Sequence, residues 1–359
     1  MFIKKMAVKV TKVPLIKPFR TALRSVSELE AIILTIETQS GLIGYGETAP
    51  TFAVTGDSKE SIVKALHIIQ KQIKGKSIEN FSELTDIVYN SIEKNFSAKS
   101  AVEIALYDLL AQSFKTPLYK LLGGSKKDFK TGITISLNDI DTMISDSIEA
   151  QNRGFKSLKI KLGDNHKEDI QRIICIKNAL HAETLLKLDA NQGWSKEECV
   201  EFLNSMEKNQ IPIEMIEQPV KKEDIEGLIY IKERTSIPIL ADESVFSPLD
   251  AINILEKKAV DFVNIKLDKC GGIKKALLIA DICELYGVKC MIGCMLEGPI
   301  SVGAAVHVAS ARSDTITMLD LDAPILCKSS FVAGGVKFDG ANIELRDDFG
   351  LGIKKLVTI

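Results

Sequence analysis

The chain has 359 residues, of which 45% are hydrophobic and 26% are charged. These values are close to those of an average packed protein, so they exclude a disordered chain and a fibrous one. The length allows about two domains of roughly 150 residues, or one large barrel with a smaller module. The 46 basic and 48 acidic residues leave a net charge of -2. That balance gives no electrostatic footprint for nucleic acid, so we expect a small molecule as the partner.

The apolar runs and the cysteines disfavour two further classes of protein. No apolar run approaches the roughly 18 residues that cross a bilayer, and residues 1–10 lack the uninterrupted apolar stretch of a signal peptide. The seven cysteines form no Cys-x-x-Cys pair, so we expect reduced thiols. We therefore expect a cytoplasmic protein that binds neither membrane nor nucleic acid. A homo-oligomer is compatible with the sequence.

The first third of the chain predicts a compact α+β unit. Residues 31–37 alternate in polarity as a strand does, and the glycine-rich cluster at residues 41–46 indicates the turn of an antiparallel hairpin. Residues 100–114 carry apolar side chains with a 3.6-residue period, which is typical of a helix. This unit differs in pattern from everything that follows it.

From about residue 131 the sequence repeats a strand and helix unit. Short apolar runs recur with gaps of roughly 20 to 30 residues, and most gaps contain an amphipathic stretch. The runs cover residues 132–137, 157–161, 185–189, 213–217, 237–241, 261–266, 288–292 and 316–319. Repeats of this kind close into a (β/α)8 barrel. The alternative, an open doubly wound sheet, lacks the Gly-x-Gly-x-x-Gly motif after its first strand. We expect a capping domain at 1–125, the barrel at 126–323, and a C-terminal segment at 324–359 that crosses back to the cap.

Charged residues follow several of these strands at the point where each strand ends. Asp189, Glu217 and Asp242 end three neighbouring strands, and in a parallel barrel such ends meet at one rim. Converging carboxylates repel unless a cation lies between them, and an all-oxygen set suits Mg²⁺. Each acid could instead cap a helix or form an ion pair. Because five consecutive strands end in charged residues, the pattern favours a site with one Mg²⁺ per subunit.

Lysines flank this predicted metal site. Lys159 and Lys161 share one face of the second strand, and Lys266 ends the sixth strand, across the barrel. Nearby cations lower the pKa of a lysine towards the ~7 to 8 that suits a general base. A base on each side of a substrate can remove a proton from one face and return it to the other, which inverts a stereocentre. Mg²⁺ would stabilise the resulting enediolate.

These features resemble the enolase superfamily, in its muconate-lactonising subgroup, and the resemblance implies a Lys or His base together with Mg²⁺. The resemblance spans essentially the whole chain. It is carried by Ala101-x-x-x-Ala105-Leu106-Tyr107-Asp108, Pro117-Leu118, Leu121-Leu122-Gly123-Gly124, Lys159-x-Lys161, Leu188-Asp189-Ala190-Asn191, Glu217-Gln218-Pro219, Asp242-Glu243-Ser244 and Lys266. It implies a (β/α)7β barrel under an N-terminal α+β cap, with Lys161 and Lys266 as the bases and Lys159 at the substrate.

Specificity must come from residues outside this shared set, because the subgroup runs several reactions. Asp320 and Asp322 resemble the Asp-x-Asp pair with which dipeptide epimerases hold a free α-ammonium. Arg24 matches the arginine that binds a glutamate side chain in those enzymes, and Thr134 lies where it could hydrogen-bond the substrate. We also expect Glu297 to hydrogen-bond across the site, with a purely structural contact as the alternative. The expectation is therefore Mg²⁺-dependent epimerisation of L-Ala-D/L-Glu or a related dipeptide.

Other activities remain open at this point. Within the subgroup the alternatives are o-succinylbenzoate synthase, N-acylamino acid racemase and a muconate-type cycloisomerase. A catalytically idle barrel kept as a binding protein is the alternative from another class. Retention of a lysine on both sides argues against it, since a binder needs no base. Lys187 lies deeper on the strand of Asp189, and we expect it in a buried ion pair.

Overall fold

The computed structural model describes residues 1–21, 24–163 and 165–357. Its first part is an antiparallel sheet with helices packed against one side. The strands, in sheet order, are β1 (Ile3–Arg20), β2 (Ser25–Thr38) and β3 (Ile43–Thr48). The helices are α1 (Phe52–Thr55), α2 (Lys59–Ile73), α3 (Phe81–Asn90), α4 (Phe96–Ser113) and α5 (Leu118–Leu121). We call this part the cap.

Both faces of β2 are buried, which the alternating pattern alone does not predict. Ile32, Leu34 and Ile36 pack against the helices of the cap. Ala31 and Ile33, on the opposite face, belong to the core that fills the barrel domain. The strand therefore joins two hydrophobic cores, and its apolar run is nearly continuous for that reason.

Helix α4 and strand β3 cross at very close range. A Cβ atom at Gly44 would collide with the carbonyl oxygen of Ala105, and one at Gly46 would collide with that of Ala101. Small residues on both elements are needed for this approach, which explains the Ala-x-x-x-Ala spacing. The helix begins at Phe96, four residues before the predicted start at residue 100, where Ser97 donates from its backbone N–H to Asp57 Oδ2 over 3.2 Å.

The second part is an eight-stranded parallel barrel, as predicted. Its strands are β5 (Ile133–Ile135), β6 (Ser157–Lys161), β7 (Leu185–Asp189), β8 (Met215–Glu217), β9 (Ile239–Ala241), β10 (Phe262–Ile265), β11 (Lys289–Gly293) and β12 (Ile316–Asp320), preceded by the short β4 (Asp128–Lys130). They neighbour one another in chain order. At the seam, Gly132 donates its backbone N–H to Leu319 O over 3.1 Å. The apolar run that predicts β9 starts at residue 237, but the strand starts at residue 239. Pro238 has no N–H to donate to the ladder, which explains the later start.

Helices cover the outside of the barrel between successive strands. They are α6 (Ile140–Asn152), α7 (His166–Ala179), α8 (Lys196–Lys208), α9 (Ile225–Lys232), α10 (Pro248–Glu256), α11 (Leu267–Cys270), α12 (Ile273–Leu285) and α13 (Pro299–Ala311). After β12 the chain forms a 3₁₀ helix, Ala323–Leu326, in place of an α-helix. The (β/α)7β barrel under an N-terminal α+β cap is thus confirmed.

The C-terminal segment contacts both parts. Its strands are β13 (Val332–Gly334), β14 (Lys337–Asp339), β15 (Asn342–Glu344) and β16 (Ile353–Leu356). Strand β15 pairs with β4 at the base of the barrel, and Leu118 of the cap donates its backbone N–H to Gly350 O over 2.8 Å. All seven cysteines are free. No helix among the described residues is both long and apolar enough for a membrane span.

Candidate active site

The ends of five consecutive barrel strands bring the predicted charged residues together. In the strand ladders Lys161 lies opposite Asp189, and Asp189 lies opposite Glu217. Asp242 directly follows β9, and Lys266 directly follows β10. Asp189, Glu217 and Asp242 are each at most 1% exposed. The strand periodicity therefore placed these groups correctly, in a water-poor environment where their charges interact strongly.

Lysine ammonium groups neutralise the predicted metal ligands. Lys159 Nζ lies 3.0 Å from Asp189 Oδ2 and 2.5 Å from Glu217 Oε2. Lys161 Nζ donates to Asp189 Oδ2 over 2.6 Å, and Lys266 Nζ lies 2.5 Å from Asp242 Oδ2. Among the described residues, no group of three His, Cys, Asp or Glu side chains already surrounds one point that could hold a metal. The ammonium of Lys159 lies between two of the predicted ligands.

The pKa values of these groups follow from burial and from their partners. Burial opposes ionisation of Asp189, but Lys161 and Lys159 outweigh it and lower the pKa of Asp189 to about 2. Burial lowers the pKa of Lys266, yet contact with Asp242 raises it more, so the pKa lies above its usual value. The described residues thus raise the pKa of Lys266, whereas the sequence predicts a lowered pKa for a lysine beside a bound cation.

The residues present fit a divalent cation. Four carboxylates, those of Asp189, Glu217, Asp242 and Glu243, are buried, and a lysine ammonium group lies within 3.0 Å of each of the first three. If Lys161 and Lys266 are to act as bases they must lose a proton, which leaves carboxylate charge to be balanced by another cation. One buried carboxylate oxygen, Glu243 Oε2, has no hydrogen-bond partner among the described residues. The oxygen-only ligand set matches Mg²⁺.

Two buried residues that the sequence did not single out orient these carboxylates. Asn264 Nδ2 donates to Glu217 Oε1 over 2.9 Å. Lys269, fully buried, places Nζ 2.6 Å from Asp242 Oδ1 and donates to Asn264 O over 2.9 Å. Such supporting contacts fix the direction in which a carboxylate presents its oxygens. The only sequence signal for Lys269 is its position one helical turn after Lys266.

A cavity opens above this cluster and contains most of the predicted substrate-binding residues. Its walls include Arg24, Thr134, Lys159, Asp320 and Asp322, together with Lys161, Lys266, Asn191 and Glu243. The cap contributes Phe19, Thr21, Thr51, Ala53 and Val54, and the loop after β11 contributes Met295 and Leu296. Residues 51–54 were not predicted, because their place depends on how the cap packs on the barrel. Every predicted substrate-binding residue except Glu297 therefore lines this cavity, as do both predicted bases and Asp242, whereas Asp189 and Glu217 do not line it.

Asp320 and Asp322 have different partners. Asp320 Oδ1 forms an ion pair with Lys187, which confirms the buried ion pair expected for that lysine, and Asp320 Oδ2 lies 3.8 Å from Lys159 Nζ. Asp322 Oδ2 accepts a hydrogen bond of 2.6 Å from the backbone N–H of Thr134. Burial, with Asp320 nearby, raises the pKa of Asp322. Asp322 is therefore the carboxylate of the pair that gains most from a cationic ligand.

Arg24 and Glu297 are placed differently from one another. Arg24 lines the cavity, and burial lowers the pKa of its guanidinium; residues 22 and 23 of its loop lie outside the described part. Glu297 does not line the cavity. Its carboxylate accepts from the backbone N–H of Met295 and from Ser301 Oγ. The expected contact of Glu297 with substrate is thus replaced by a contact that shapes the loop of Met295 and Leu296.

Family models match nearly the whole chain. Residues 5–123 match the mandelate racemase / muconate lactonizing enzyme N-terminal domain, and residues 144–355 match the enolase C-terminal domain-like model. The chain belongs to the enolase superfamily. Enzymes of this superfamily use Mg²⁺.

Several members of the enolase superfamily are similar along their full length. The L-Ala-D/L-Glu epimerase of Clostridium acetobutylicum is 48% identical over 355 residues, 99% of each chain. The substrate-liganded L-Ala-D/L-Glu epimerase of Bacillus subtilis superposes with a TM-score of 0.97 at 40% identity, covering 100% of both chains. The dipeptide epimerase of Enterococcus faecalis, solved with Mg and L-Leu-L-Tyr, gives 0.95 at 38% identity, covering 99% of this chain and 100% of that one.

Proposed function

We propose that the protein is a Mg²⁺-dependent dipeptide epimerase that inverts the α-carbon of the C-terminal residue, with L-Ala-D/L-Glu as its leading substrate. The observation that carries this proposal is the placement of Lys161 and Lys266. They end β6 and follow β10, which are four strands apart in an eight-stranded barrel and so lie on opposite sides of the cavity. The carboxylates of the predicted metal site lie between them.

One Mg²⁺ per subunit would be held by Asp189, Glu217 and Asp242. When bound, the ion would stabilise the negative charge that builds on the substrate carboxylate as the α-proton leaves. Lys159, whose Nζ lies 2.5 Å from Glu217 Oε2, would bind the same substrate carboxylate. Asn264 and Lys269 contact the carboxylates of Glu217 and Asp242 and would orient their oxygens towards the ion.

The two lysines divide the proton transfer. Neutral Lys161 accepts the α-proton from one face of the substrate through its nitrogen lone pair, and the C–H electron pair remains on the substrate. Protonated Lys266 then donates a proton to the opposite face of the α-carbon. For the other epimer the two lysines exchange roles, so one site interconverts both. Each turnover leaves the enzyme with its two protonation states exchanged, and solvent restores them.

The dipeptide assignment depends on the cavity residues Asp322, Asp320 and Arg24. Asp322, buried and directed by the N–H of Thr134, would bind the free α-ammonium of a dipeptide through a charge-assisted hydrogen bond. Asp320 is already paired with Lys187, and its negative charge would attract the same ammonium. Arg24, on the cap side of the same cavity, would bind the side-chain carboxylate of a C-terminal glutamate. Substrates without an ammonium would leave Asp322 buried and uncompensated.

The buried carboxylate of Asp322 also separates this proposal from its alternatives. One relative, the N-succinyl-L-Arg/Lys racemase of Bacillus cereus, is 33% identical over 346 residues, covering 96% of this chain and 92% of that one. An N-acylated amino acid has no α-ammonium, and neither do the substrates of o-succinylbenzoate synthase or a muconate-type cycloisomerase. A binding protein would exchange no proton.

A mixed substrate panel tests the proposal. The purified protein with Mg²⁺ is incubated in D₂O with dipeptides that end in Glu, Ala or Leu, and with N-succinyl amino acids. Mass spectrometry then reads deuterium gain at the α-carbon, and chiral chromatography reads the new epimer. We expect the fastest gain for L-Ala-L-Glu and for L-Ala-D-Glu. Faster exchange of the N-succinyl compounds would overturn the dipeptide assignment, and no exchange in any compound would overturn the isomerase proposal.

A further inference from the structure

The turn that follows β7 has an unusual backbone. Asn191 and Gln192 have φ values of +45° and +67°, so two consecutive residues other than glycine lie in the left-handed region. Such conformations cost free energy and persist where the surrounding structure fixes them. Here Gln192 donates its N–H to Gln218 O, and Gly193 donates its N–H to Ala190 O, each over 2.8 Å. The turn thus holds one side chain, that of Asn191, in a set direction.

The amide of Asn191 links two charged residues of the cavity. Its Oδ1 accepts from Lys161 Nζ over 3.2 Å, and its Nδ2 donates to Glu243 Oε1 over 3.5 Å. The backbone N–H of Asn191 donates to Asp189 Oδ1 over 2.9 Å. An ammonium only donates and a carboxylate only accepts, so both neighbours favour the same orientation of the amide. Glu243 therefore keeps the oxygen of Asn191 turned towards Lys161.

Two hydrogen-bond acceptors orient the neutral amine of Lys161. A neutral amine has two N–H groups and one lone pair. Asp189 Oδ2, 2.6 Å away, and Asn191 Oδ1, 3.2 Å away, accept two N–H groups from Lys161. Lys161 and Asn191 both line the cavity, so the remaining direction of the nitrogen is the one available to a molecule bound there. Two acceptors thus direct the lone pair of the neutral amine, and the third N–H of the ammonium, towards the substrate.

Lys266 has no matching pair of acceptors. Among the described residues, the hydrogen bonds and ion pairs of its Nζ are confined to Asp242 Oδ2, at 2.5 Å. A single acceptor leaves the amine free to rotate about that contact. The two proposed bases are therefore supported unequally, and the difference is the side chain of Asn191.

We propose that Asn191, with Glu243 behind it, is a positioning residue that sets the direction of the Lys161 lone pair and so controls proton transfer at one face only. The inference rests on the two-base function proposed above. Losing the amide lets the Lys161 nitrogen rotate away from the α-proton. Misplacement of a base on this scale slows proton transfer by about tenfold to a hundredfold.

The test measures α-proton exchange from each epimer separately. L-Ala-L-Glu and L-Ala-D-Glu are each incubated in D₂O with Asn191→Gly, which tolerates a positive φ, with Asn191→Ala and with Lys161→Ala. Lys161→Ala identifies the epimer whose proton faces Lys161. We expect both Asn191 variants to slow exchange of that same epimer by about tenfold to a hundredfold and the other epimer by less than about threefold. Calorimetry should find Mg²⁺ affinity close to that of the parent protein, because Asn191 contacts Asp189 through its backbone N–H, which both variants keep.

Equal slowing of both epimers by Asn191→Gly would overturn the inference, as would slowing that follows a loss of Mg²⁺ affinity. Either result would make Asn191 a support of the metal site or of the fold. A different pattern would overturn the proposed function instead, namely a parent protein that exchanges neither epimer, or Lys161→Ala and Lys266→Ala variants that affect both epimers alike. The matched variant Asn209→Gly, at an exposed helix end distant from the cavity, should leave both exchange rates unchanged.

Discussion

The ammonium group of Lys159 lies 2.5 Å from Glu217 Oε2, although β6 and β8 are separated by β7. The same ammonium lies 3.0 Å from Asp189 Oδ2. Because like charges this close repel strongly in a buried site, Lys159 and a divalent cation compete for the same carboxylate oxygens. The proposed metal site and Lys159, the lysine proposed to bind substrate, are therefore linked through Glu217.

Metal removal should abolish activity, and Mg²⁺ should restore it. Glu217→Gln should weaken Mg²⁺ binding by at least about tenfold, measured by calorimetry, because a neutral amide is a poorer ligand for a hard cation. Glu214→Gln is the matched control, since Glu214 accepts from Ser157 Oγ over 3.2 Å and lies outside the cavity. Full turnover by thoroughly metal-free enzyme would contradict the metal assignment.

Asp322→Asn should lower kcat/KM for L-Ala-L-Glu by on the order of tenfold to a thousandfold. The buried carboxylate is expected to hold the substrate ammonium, and loss of one partner in such a pair costs roughly 2 to 5 kcal/mol. Asp314→Asn, on the surface before β12, should have no effect. Acetylation of the dipeptide amine should slow the parent enzyme to a similar degree. If the acetylated dipeptide reacts as fast as the free one, the ammonium site is wrongly assigned.

Arg24→Ala should act on one class of substrate. Arg24 lines the cavity while Arg20 does not, so Arg20→Ala serves as the control. We expect kcat/KM for Glu-terminated dipeptides to fall by at least about tenfold because a partly buried ion pair is lost. For Ala- or Leu-terminated dipeptides the fall should be less than about threefold. Equal losses of kcat/KM in both classes of dipeptide would show that Arg24 shapes the cavity but does not bind the C-terminal side chain of the substrate.

Glu47 should make stability depend on pH. It belongs to the cap and accepts from the backbone N–H groups of Ile300 and Ser301 over 2.9 Å and 3.2 Å, at the start of α13. Burial raises the pKa of Glu47 to about 8, from an ordinary value of 4.5. Between those pH values the folded chain binds more protons than the unfolded chain, so this group lowers stability as pH rises from about 4.5 to about 8.

Glu47→Gln removes that titration. The free energy of unfolding, measured with denaturant between pH 5 and pH 8, should fall less steeply in the variant, by up to about 1.4 kcal/mol per pH unit. The control is Glu37→Gln. Glu37 lies on the neighbouring strand β2, where it forms a surface ion pair with Lys4, and this variant should keep the slope of the parent protein. An unchanged slope in Glu47→Gln would show that Glu47 stays ionised in the folded chain across this range.

The barrel and its rim could be predicted because two simple regularities determine them. A period of two along a strand places Lys159 and Lys161 on one face, and parallel strands bring Asp189, Glu217 and Asp242 to one rim. Both regularities are local in sequence. The strand limits of β6 and β7 were predicted to the residue for the same reason.

Contacts between distant segments could not be predicted in this way. Glu47 accepts a hydrogen bond from the backbone of Ser301, 254 residues away. The sequence around either residue does not indicate that the two meet. The sequence likewise did not indicate that the carboxylate of Glu297 accepts a hydrogen bond from Ser301 of α13 and lies outside the cavity lining. The left-handed turn at Asn191 likewise depends on Gln218 of the next strand. Such details arise from tertiary packing, which single-sequence patterns do not encode.

The most direct test of the two-base account compares Lys161→Ala with Lys266→Ala in D₂O. With Mg²⁺ and either epimer of L-Ala-Glu, both variants should lose epimerisation, because each retains a base on one side only. Lys266→Ala should still exchange the α-proton of the epimer that faces Lys161, and Lys161→Ala should exchange only the other. From the family resemblance alone, we expect Lys161 to serve the S face and Lys266 the R face. Epimerisation by Lys266→Ala at the parent rate would contradict the account.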